Sequence, residues 1–249
     1  MRMIKQLSFL CLGLALAGNA SAGVIREDKG DSDWEVLFAP YIWGTAIKGT
    51  SQLGVFPPTD IDASFSDILS NLNMALALHT EFHRGRWAFV IDPFWASLEM
   101  DADAGPAEVE STVDQLIVEA WGAYKITPNW EVLGGARYMD QDLEIEIGLP
   151  DPFPGRKIKG GDDWLDWFLG ARFNYPVAER WTVSGRGDVS LAGDSDSQYS
   201  FSFFVNRRFG KTMMLNLGYK YLDTEYENEG IYVWDARMQG FVLGYTWSF

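Results

Sequence analysis

Cysteine is almost absent from this chain, and the single copy, Cys11, lies in a segment that we expect the mature protein to lose. Two basic residues and an apolar run from 7 to 17 precede the small residues Ala20–Ala22. This order predicts a secretory signal peptide over residues 1–22, cut after Ala22. We therefore expect an exported protein that is stabilised without disulfide bonds.

Long apolar runs and positive charge are also scarce. After residue 22, no stretch approaches the roughly 18 consecutive apolar residues that a membrane helix needs. The formal net charge is −15, and it becomes −17 when Arg2 and Lys5 leave with the signal peptide. Because such acidity repels phosphates, we expect no nucleic-acid partner. Aromatic residues (15%) and glycine (25 copies) are abundant, which favours a β-protein whose surface is not simply bathed in water.

What the chain has instead is alternation. In WTVSGRGDVSL, residues 181–191, apolar Val183 and Val189 fall on one parity, and Arg186 and Asp188 fall on the other. A period of two residues is typical of a β-strand with two unlike faces. After a polar leader over 23–33, ten such segments recur to the last residue. They are 34–44, 73–83, 87–99, 112–126, 130–142, 164–175, 181–191, 198–206, 213–223 and 232–249.

The connections between these segments alternate in length. Those at 84–86, 127–129, 176–180 and 207–212 are short, and the connections between them are mostly longer. Membrane barrels have this asymmetry, with short periplasmic turns and longer outer loops. The pattern predicts one all-β domain over 34–249, a transmembrane antiparallel up-and-down β-barrel of about ten strands, with eight to twelve possible.

The closing stretch, QGFVLGYTWSF, places five large apolar residues on one parity and ends at Phe249. It resembles the C-terminal signature strand of Gram-negative outer-membrane β-barrel proteins. The resemblance implies that the protein lies in the cell outer membrane and that the barrel-assembly machinery reads the Phe249 strand. It implies no particular activity.

Aromatic residues recur where strands meet the short turns. Tryptophan and tyrosine prefer the membrane–water boundary, because one end of the ring is apolar and the other end can hydrogen-bond. We predict a membrane-interface girdle formed by Trp87, Tyr124, Trp130, Tyr175, Trp181, Trp247 and Phe249.

The polar parity mixes both charge signs with small residues, which is typical of a confined lumen in which charges pair. The predicted lumen network consists of His79, Glu81, His83, Asp92, Glu119, Glu131, Arg137, Asp166, Arg172, Arg186, Asp188 and Lys220. A barrel of this size is close to being filled by side chains. We expect a non-enzymatic structural or surface-binding barrel with a charge-plugged lumen. The alternative is a narrow, weakly cation-preferring pore for ions or small solutes.

The segment HTEFH holds both histidines, so that His79, Glu81 and His83 share one face of a strand. Such a set could bind a transition metal or perform acid–base catalysis. Omptin proteases and lipid A deacylases are precedents for barrel enzymes, and a membrane-embedded hydrolase using His79 and Glu81 is the third hypothesis. The favoured interpretation is the lumen network, with no catalytic residue, no metal and no cofactor.

The outer connections suggest further partners. Acidic stretches lie at 101–110, 140–147, 193–197 and 223–229. They could collect divalent cations such as Ca²⁺ or Mg²⁺, which also bridge lipopolysaccharide phosphates. We therefore expect outer-membrane lipid and lipopolysaccharide as partners, with divalent cations possible at these loops.

Two features fit an ideal barrel less well. Pro40 and Pro93 interrupt apolar strands and remove ladder donors, so we expect a local bulge at each. The long connection 45–72 alternates over its acidic middle part, which predicts a strand extension above the membrane. One helical turn from Asp67 to Leu72 would follow, with Ile68, Leu69 and Leu72 as its apolar face.

Overall fold

The computed structural model describes residues 34–104, 107–148 and 155–249. For residues 101–104 and 107–109 it describes the backbone alone. The predicted signal peptide (1–22) and leader (23–33) lie outside the described residues. The elements in chain order are β1 (Glu35–Leu53), β2 (Thr59–Ala63), α1 (Phe65–Ser70), β3 (Leu72–Arg84), β4 (Trp87–Ala104), β5 (Ala107–Lys125), β6 (Trp130–Gly148), β7 (Arg156–Ala178), β8 (Trp181–Gly193), β9 (Ser197–Phe209), β10 (Met213–Asn228) and β11 (Tyr232–Ser248).

Ten of these strands form a closed barrel. From β3 to β11 each strand pairs antiparallel with the next, and β11 pairs along nearly the whole of β1 to close the ring. Strand β2 lies outside this ring and pairs only with the far half of β1. The predicted ten-stranded up-and-down barrel is confirmed. No helix within the described residues is long and apolar enough to span a membrane.

The alternation sorts side chains between the two faces of the wall. On β10, Leu217 is 55% exposed on the outer face, whereas the neighbouring Asn216 and Lys220 are almost wholly buried in the lumen. An outward apolar face is stable only against lipid, because a large contiguous apolar surface is not left in water. We call the outward apolar zone, from the short turns up to the first outward acids such as Asp114, Asp140 and Asp163, the membrane band.

Above the membrane band the polarity of the wall inverts. On β6, Leu143 and Ile145 point inward and are buried, whereas Asp142, Glu144 and Glu146 point outward. The same strand is polar-inward below this level, at Glu131 and Arg137. This end of the barrel therefore has the oily interior and charged exterior of a water-soluble β-barrel. Six strands run well past the segments predicted for them here (β1, β4, β5, β6, β7 and β10).

The first long connection folds back against β1. As predicted, it holds a short strand, β2, followed by a helical turn. The helix begins at Phe65, earlier than expected, because Ser64 caps it and Asp67 completes a capping box. Ile68 is buried as expected, whereas Leu69 is 55% exposed.

The prolines produce no bulge, and this prediction is wrong. The β4–β5 register runs through Pro93 without a shift, and the β1–β11 register is the same on either side of Pro40. A missing donor at one position does not require an inserted residue. Instead, Pro40 is the last β1 residue paired with β3, opposite Leu78.

Beyond Pro40 the two strands separate. The β3 side of β1 has no strand partner until Ile47 meets Ala63 of β2. The ring of Phe65 lies in this interval, so close to Gly44 that a β-carbon there would come within 2.9 Å of it. Helix α1 therefore packs beside a stretch of the wall in which β1 and β3 do not pair.

Candidate functional site: the lumen charge network

Arg137 lies at the centre of the charged lumen. It projects inward from β6, is fully buried, and donates from Nε to Glu119 Oε1 of β5 at 2.7 Å. Its terminal nitrogens donate to Asp188 Oδ1 of β8 at 2.9 Å and to Gln198 Oε1 of β9 at 2.6 Å. One guanidinium thus joins four strands. Because an arginine offers several donors in a fixed plane, these contacts also fix its orientation.

A second guanidinium spans the lumen. Arg172 of β7 donates from Nη1 to Glu81 Oε2 of β3 at 2.9 Å, and its Nε hydrogen-bonds Glu131 of β6. Four steps around a ring of ten strands separate β3 from β7, so the Arg172–Glu81 pair crosses close to the barrel axis. Arg186 of β8 makes a similar link to Glu119 at 2.8 Å.

The histidines belong to the same network. His79 Nδ1 lies 2.6 Å from Asp92 Oδ2, and His79 Nε2 lies 2.7 Å from Glu81 Oε1. His83 Nε2 is 2.8 Å from the other oxygen of Glu81, and the Tyr41 hydroxyl donates to Asp92 Oδ1 at 2.8 Å. Both ring nitrogens of His79 therefore face carboxylates. Within the described residues, no group of three histidine, cysteine or acidic side chains is arranged to hold a metal ion.

Two aromatic rings fill the space between the guanidiniums. Arg172 and Arg186 lie over the ring of Trp121, at 4.9 and 4.7 Å from its centroid. Arg137 and Arg186 each lie 5.0 Å from the centroid of Phe168. Such contacts stabilise a cation whose water has been removed. Rings and charges together form a continuous layer across the lumen.

Not every predicted network residue joins this layer. Asp166 is buried, but its Oδ1 accepts from the backbone N–H of Ser195 at 3.0 Å, at the connection between β8 and β9. Lys220 is buried with its Nζ 5.0 Å from the centroid of Trp43, and no described carboxylate lies within ion-pair distance of it. Ten of the twelve predicted residues thus form two ion-paired sets, one of six around Glu81 and one of four around Arg137, and Arg172 and Arg186 bring the two sets together at the ring of Trp121.

A second, apolar layer lies on the outer side of the charged one. Trp164 of β7 stacks on Tyr226 of β10, with ring centroids 4.4 Å apart. Trp234 and Met139 are fully buried in the same cluster. The Tyr226 hydroxyl donates to Asp162 at 2.7 Å, and burial, together with this hydrogen bond, raises the tyrosine pKa well above its ordinary value. The lumen is therefore filled at two successive levels.

The predicted girdle residues lie on the outer face near the short turns. Trp87 is 52% exposed and lies 4.8 Å from Tyr124, measured between ring centroids. The Trp130 indole donates to the Tyr175 hydroxyl at 2.8 Å. Trp181 is exposed on the same rim, where β8 begins, and Trp247 and Phe249 end the chain there.

Sequence reasoning missed the uncharged members of the lumen layer. Tyr41, Trp121, Phe168, Gln198 and Ser200 all contact network charges. Each shares its parity with inward residues of its own strand, such as Trp121 with Glu119. Their parity is the sequence signal that identifies them, because uncharged polar and aromatic residues at inward positions face the same lumen as the charges.

No protein-family model and no curated protein matches the chain. Among solved structures, the outer-membrane protease OmpT from Escherichia coli aligns with a TM-score of 0.54 and 9% identity, covering 87% of this chain and 97% of that chain. The translocator domain of the autotransporter NalP from Neisseria meningitidis gives 0.43 and 12%, covering 88% and 90%. Neisserial surface protein A gives 0.35 and 10%, covering 86% and 97%.

These structural neighbours are Gram-negative outer-membrane β-barrels. At such low identity the likeness shows the fold alone, and of these three structures OmpT is the one with a TM-score above 0.5. Together with the outward apolar band, it identifies the class: the protein is a closed ten-stranded transmembrane β-barrel.

Proposed function

We propose that this protein is an outer-membrane barrel with a structural or surface-binding role, and that its lumen is sealed by the charge network. The observation that carries this proposal is the Arg172–Glu81 contact of 2.9 Å, which joins nearly opposite strands through the barrel axis. Both side chains are at most 2% exposed. A wide aqueous channel would leave such groups hydrated and separated.

The energetics of buried charge support a closed lumen. Removing one partner from a buried ion pair costs about 3–5 kcal/mol, because the other charge is left without compensation. Opening the lumen would require Arg137, Arg172 and Arg186 to exchange their partners together. The apolar layer around Trp164 and Trp234 lies across the same route. These features favour the sealed barrel over the narrow-pore alternative.

The histidine cluster supports a non-enzymatic role. A general base must reach the proton that it removes from the substrate. His79 and Glu81 are fully buried on the lumen face, and both ring nitrogens of His79 are held by carboxylates. Neither group faces the membrane or an open mouth. The membrane-embedded hydrolase is therefore the weakest of the three hypotheses.

The surface-binding part of the proposal rests on the end of the barrel above the membrane band. There β6 and β7 extend as a hairpin whose outer face carries Glu144, Glu146, Lys157 and Lys159 in mutual ion pairs. A rigid, charged projection of this kind suits contact with lipopolysaccharide phosphates or the divalent cations that bridge them. Lipopolysaccharide and such cations are the proposed outer partners, and the barrel-assembly machinery is the proposed partner of the Phe249 strand.

Solute flux through the purified barrel tests the proposal. Vesicles containing the folded full-length protein should take up small sugars and release entrapped K⁺ no faster than protein-free vesicles. A general porin reconstituted at the same density gives the positive control. Rapid flux of ions or small sugars through the wild-type barrel would overturn the sealed-lumen proposal.

A further inference from the structure

A cleft opens on the outer wall of the barrel at the rim that carries the short turns. Its volume is about 820 Å³, and it lies where the start of β1, the β3–β4 turn and the end of β5 meet. Its lining includes Trp34, Arg84, Arg86, Trp87, Phe89 and Tyr124. Two guanidiniums and three aromatic rings of the interfacial type thus surround one cavity.

Both arginines are positioned by aromatic rings. Arg84 lies with its Cζ 5.5 Å from the centroid of Trp34, and Arg86 lies 4.9 Å from that of Tyr124. Arg86 also donates from Nε to the carbonyl oxygen of Lys125 at 2.8 Å. Neither guanidinium forms an ion pair with a carboxylate among the described residues. Since a guanidinium has five N–H donors, each retains donors for an acidic ligand.

The cleft faces lipid on one side. Phe89 lines it and is 50% exposed, and Ile91 follows two residues further along the same outward face of β4, equally exposed. Trp87 stands beside them at the level of the girdle. A ligand whose charged group binds the arginines would therefore lay its apolar part along the membrane band.

Basic residues outnumber acidic ones at the rim with the short turns. This rim carries Glu35, Glu179 and a larger set of basic residues, in a chain whose net charge is −15. The basic residues are Arg84, Arg86, Lys125, Arg180, Arg207, Arg208 and Lys211. The opposite end is bordered by outward acids, among them Asp140 and Glu225. Anions are therefore attracted to the rim that holds the cleft.

We propose that this cleft binds the phosphate headgroup of a glycerophospholipid from the periplasmic leaflet. Arg84 and Arg86 would donate to the phosphate oxygens, the girdle rings would flank the glycerol region, and the acyl chains would follow Phe89 and Ile91. Short turns are periplasmic in membrane barrels, and phospholipid forms that leaflet of the outer membrane. The proposal depends on the membrane placement and not on whether the lumen conducts.

Calorimetric titration of the folded full-length barrel in an uncharged detergent tests this site. The probe is a short-chain phosphatidylglycerol, and inorganic phosphate is titrated in parallel. We expect saturable binding of the lipid, and a loss of at least about tenfold in affinity in the double variant Arg84→Gln/Arg86→Gln. Inorganic phosphate should bind far more weakly, because it has no part that contacts the apolar wall.

The matched control is Arg207→Gln/Arg208→Gln, on the same rim but outside the cleft. Arg207 also lies over an aromatic ring, with its Cζ 5.2 Å from the centroid of Trp181. We expect this control to bind lipid like the wild type, and Arg84→Lys/Arg86→Lys to retain most of the affinity, with folding checked by heat-modifiable migration. Unchanged affinity in the glutamine variant, or equal loss in the control, would overturn the proposal. Equally tight binding of inorganic phosphate would also contradict it.

Discussion

Arg172 and Glu81, 91 residues apart in the chain, meet in the barrel lumen with Nη1 2.9 Å from Oε2. Their strands lie on nearly opposite sides of the ring. The contact therefore acts as a cross-brace, and it exists only when the barrel has closed with the observed stagger of its strands. Substitutions in this pair therefore test whether the lumen is packed as the structure shows.

The first prediction concerns this pair. Glu81→Gln should destabilise the barrel by about 3–5 kcal/mol, since Arg172 and His79 lose a charged partner in a buried site. Urea unfolding in lipid vesicles, followed by tryptophan fluorescence, measures the change. Glu227→Gln, the same chemical change on an exposed outward position of β10, should cost no more than about 0.5 kcal/mol. An equal loss of stability at the two positions would mean that the buried Arg172–Glu81 pair does not stabilise the barrel.

The second prediction concerns the membrane band. Leu217 faces outward near the middle of the band, so Leu217→Arg should cost about 2–4 kcal/mol in vesicles. Glu227 lies on the same face of the same strand but above the band, so Glu227→Arg should cost about 0–1 kcal/mol. The same unfolding assay compares the two. A similar cost at both depths would contradict the assignment of the lipid-facing band.

The number of strands, and which side chains of each strand face lipid and which face the lumen, could be predicted from the sequence. Apolar and polar residues alternate along a strand whose two faces meet different surroundings. The stretch 140–147 is an exception. Its composition predicts an acidic outer loop, but Leu143 and Ile145 still alternate with Asp142 and Glu144. In this stretch the apolar residues have changed from the outward to the inward parity, because water replaces lipid outside the wall. This change of parity is itself a sequence signal for a strand that continues above the membrane.

The pairing of charges could not be predicted in the same way. Alternation places Arg172, Arg186 and Glu119 in the lumen, but it does not say which groups meet. That depends on the closure of β1 onto β11 and on the register of every ladder between them. Asp166 shows the limit: its parity is that of the network, yet it lies opposite Gly193 at the end of β8 and accepts from the N–H of Ser195.

The third prediction concerns the unpaired interval between β1 and β3. A methyl group at Gly44 would meet the half-exposed Phe65 ring at 2.9 Å, so Gly44→Ala should push this ring and α1 aside at a cost of no more than about 1 kcal/mol. Limited proteolysis of the connection 54–71 measures the displacement of α1, and urea unfolding measures the loss of stability. In Gly44→Ala/Phe65→Ala the clash is removed, so the second substitution should restore part of the stability. No rescue by Phe65→Ala would show that the contact is not the cause.

The fourth prediction concerns the hairpin above the membrane. Hydrogen bonds from Lys157 and Lys159 lower the pKa of the Glu144 carboxyl from its ordinary value of 4.5 to about 2. Because the folded pKa is depressed, the favourable interaction is fully present above pH 4.5 and is lost as the pH falls towards 2. Side-chain carboxyl NMR in micelles measures this titration directly.

In Lys157→Met/Lys159→Met the Glu144 pKa should return close to 4.5. Since the Glu144 side chain lies at the surface and is 31% exposed, high salt should also move the wild-type pKa towards that value. A pKa near 4.5 in the wild-type protein at low salt would contradict the ion-paired hairpin.

The most direct measurement of the sealed lumen is single-channel recording in planar bilayers, comparing the wild type with a barrel whose cross-brace has been removed. The sealed-lumen account predicts no conductance steps from the folded wild-type protein. Arg137→Ala/Arg172→Ala leaves the apolar layer around Trp164 in place and should stay closed, whereas adding Trp164→Ala should give small, cation-preferring steps or flickering. Stable, reproducible steps from the wild-type protein, unchanged by these substitutions, would contradict the account.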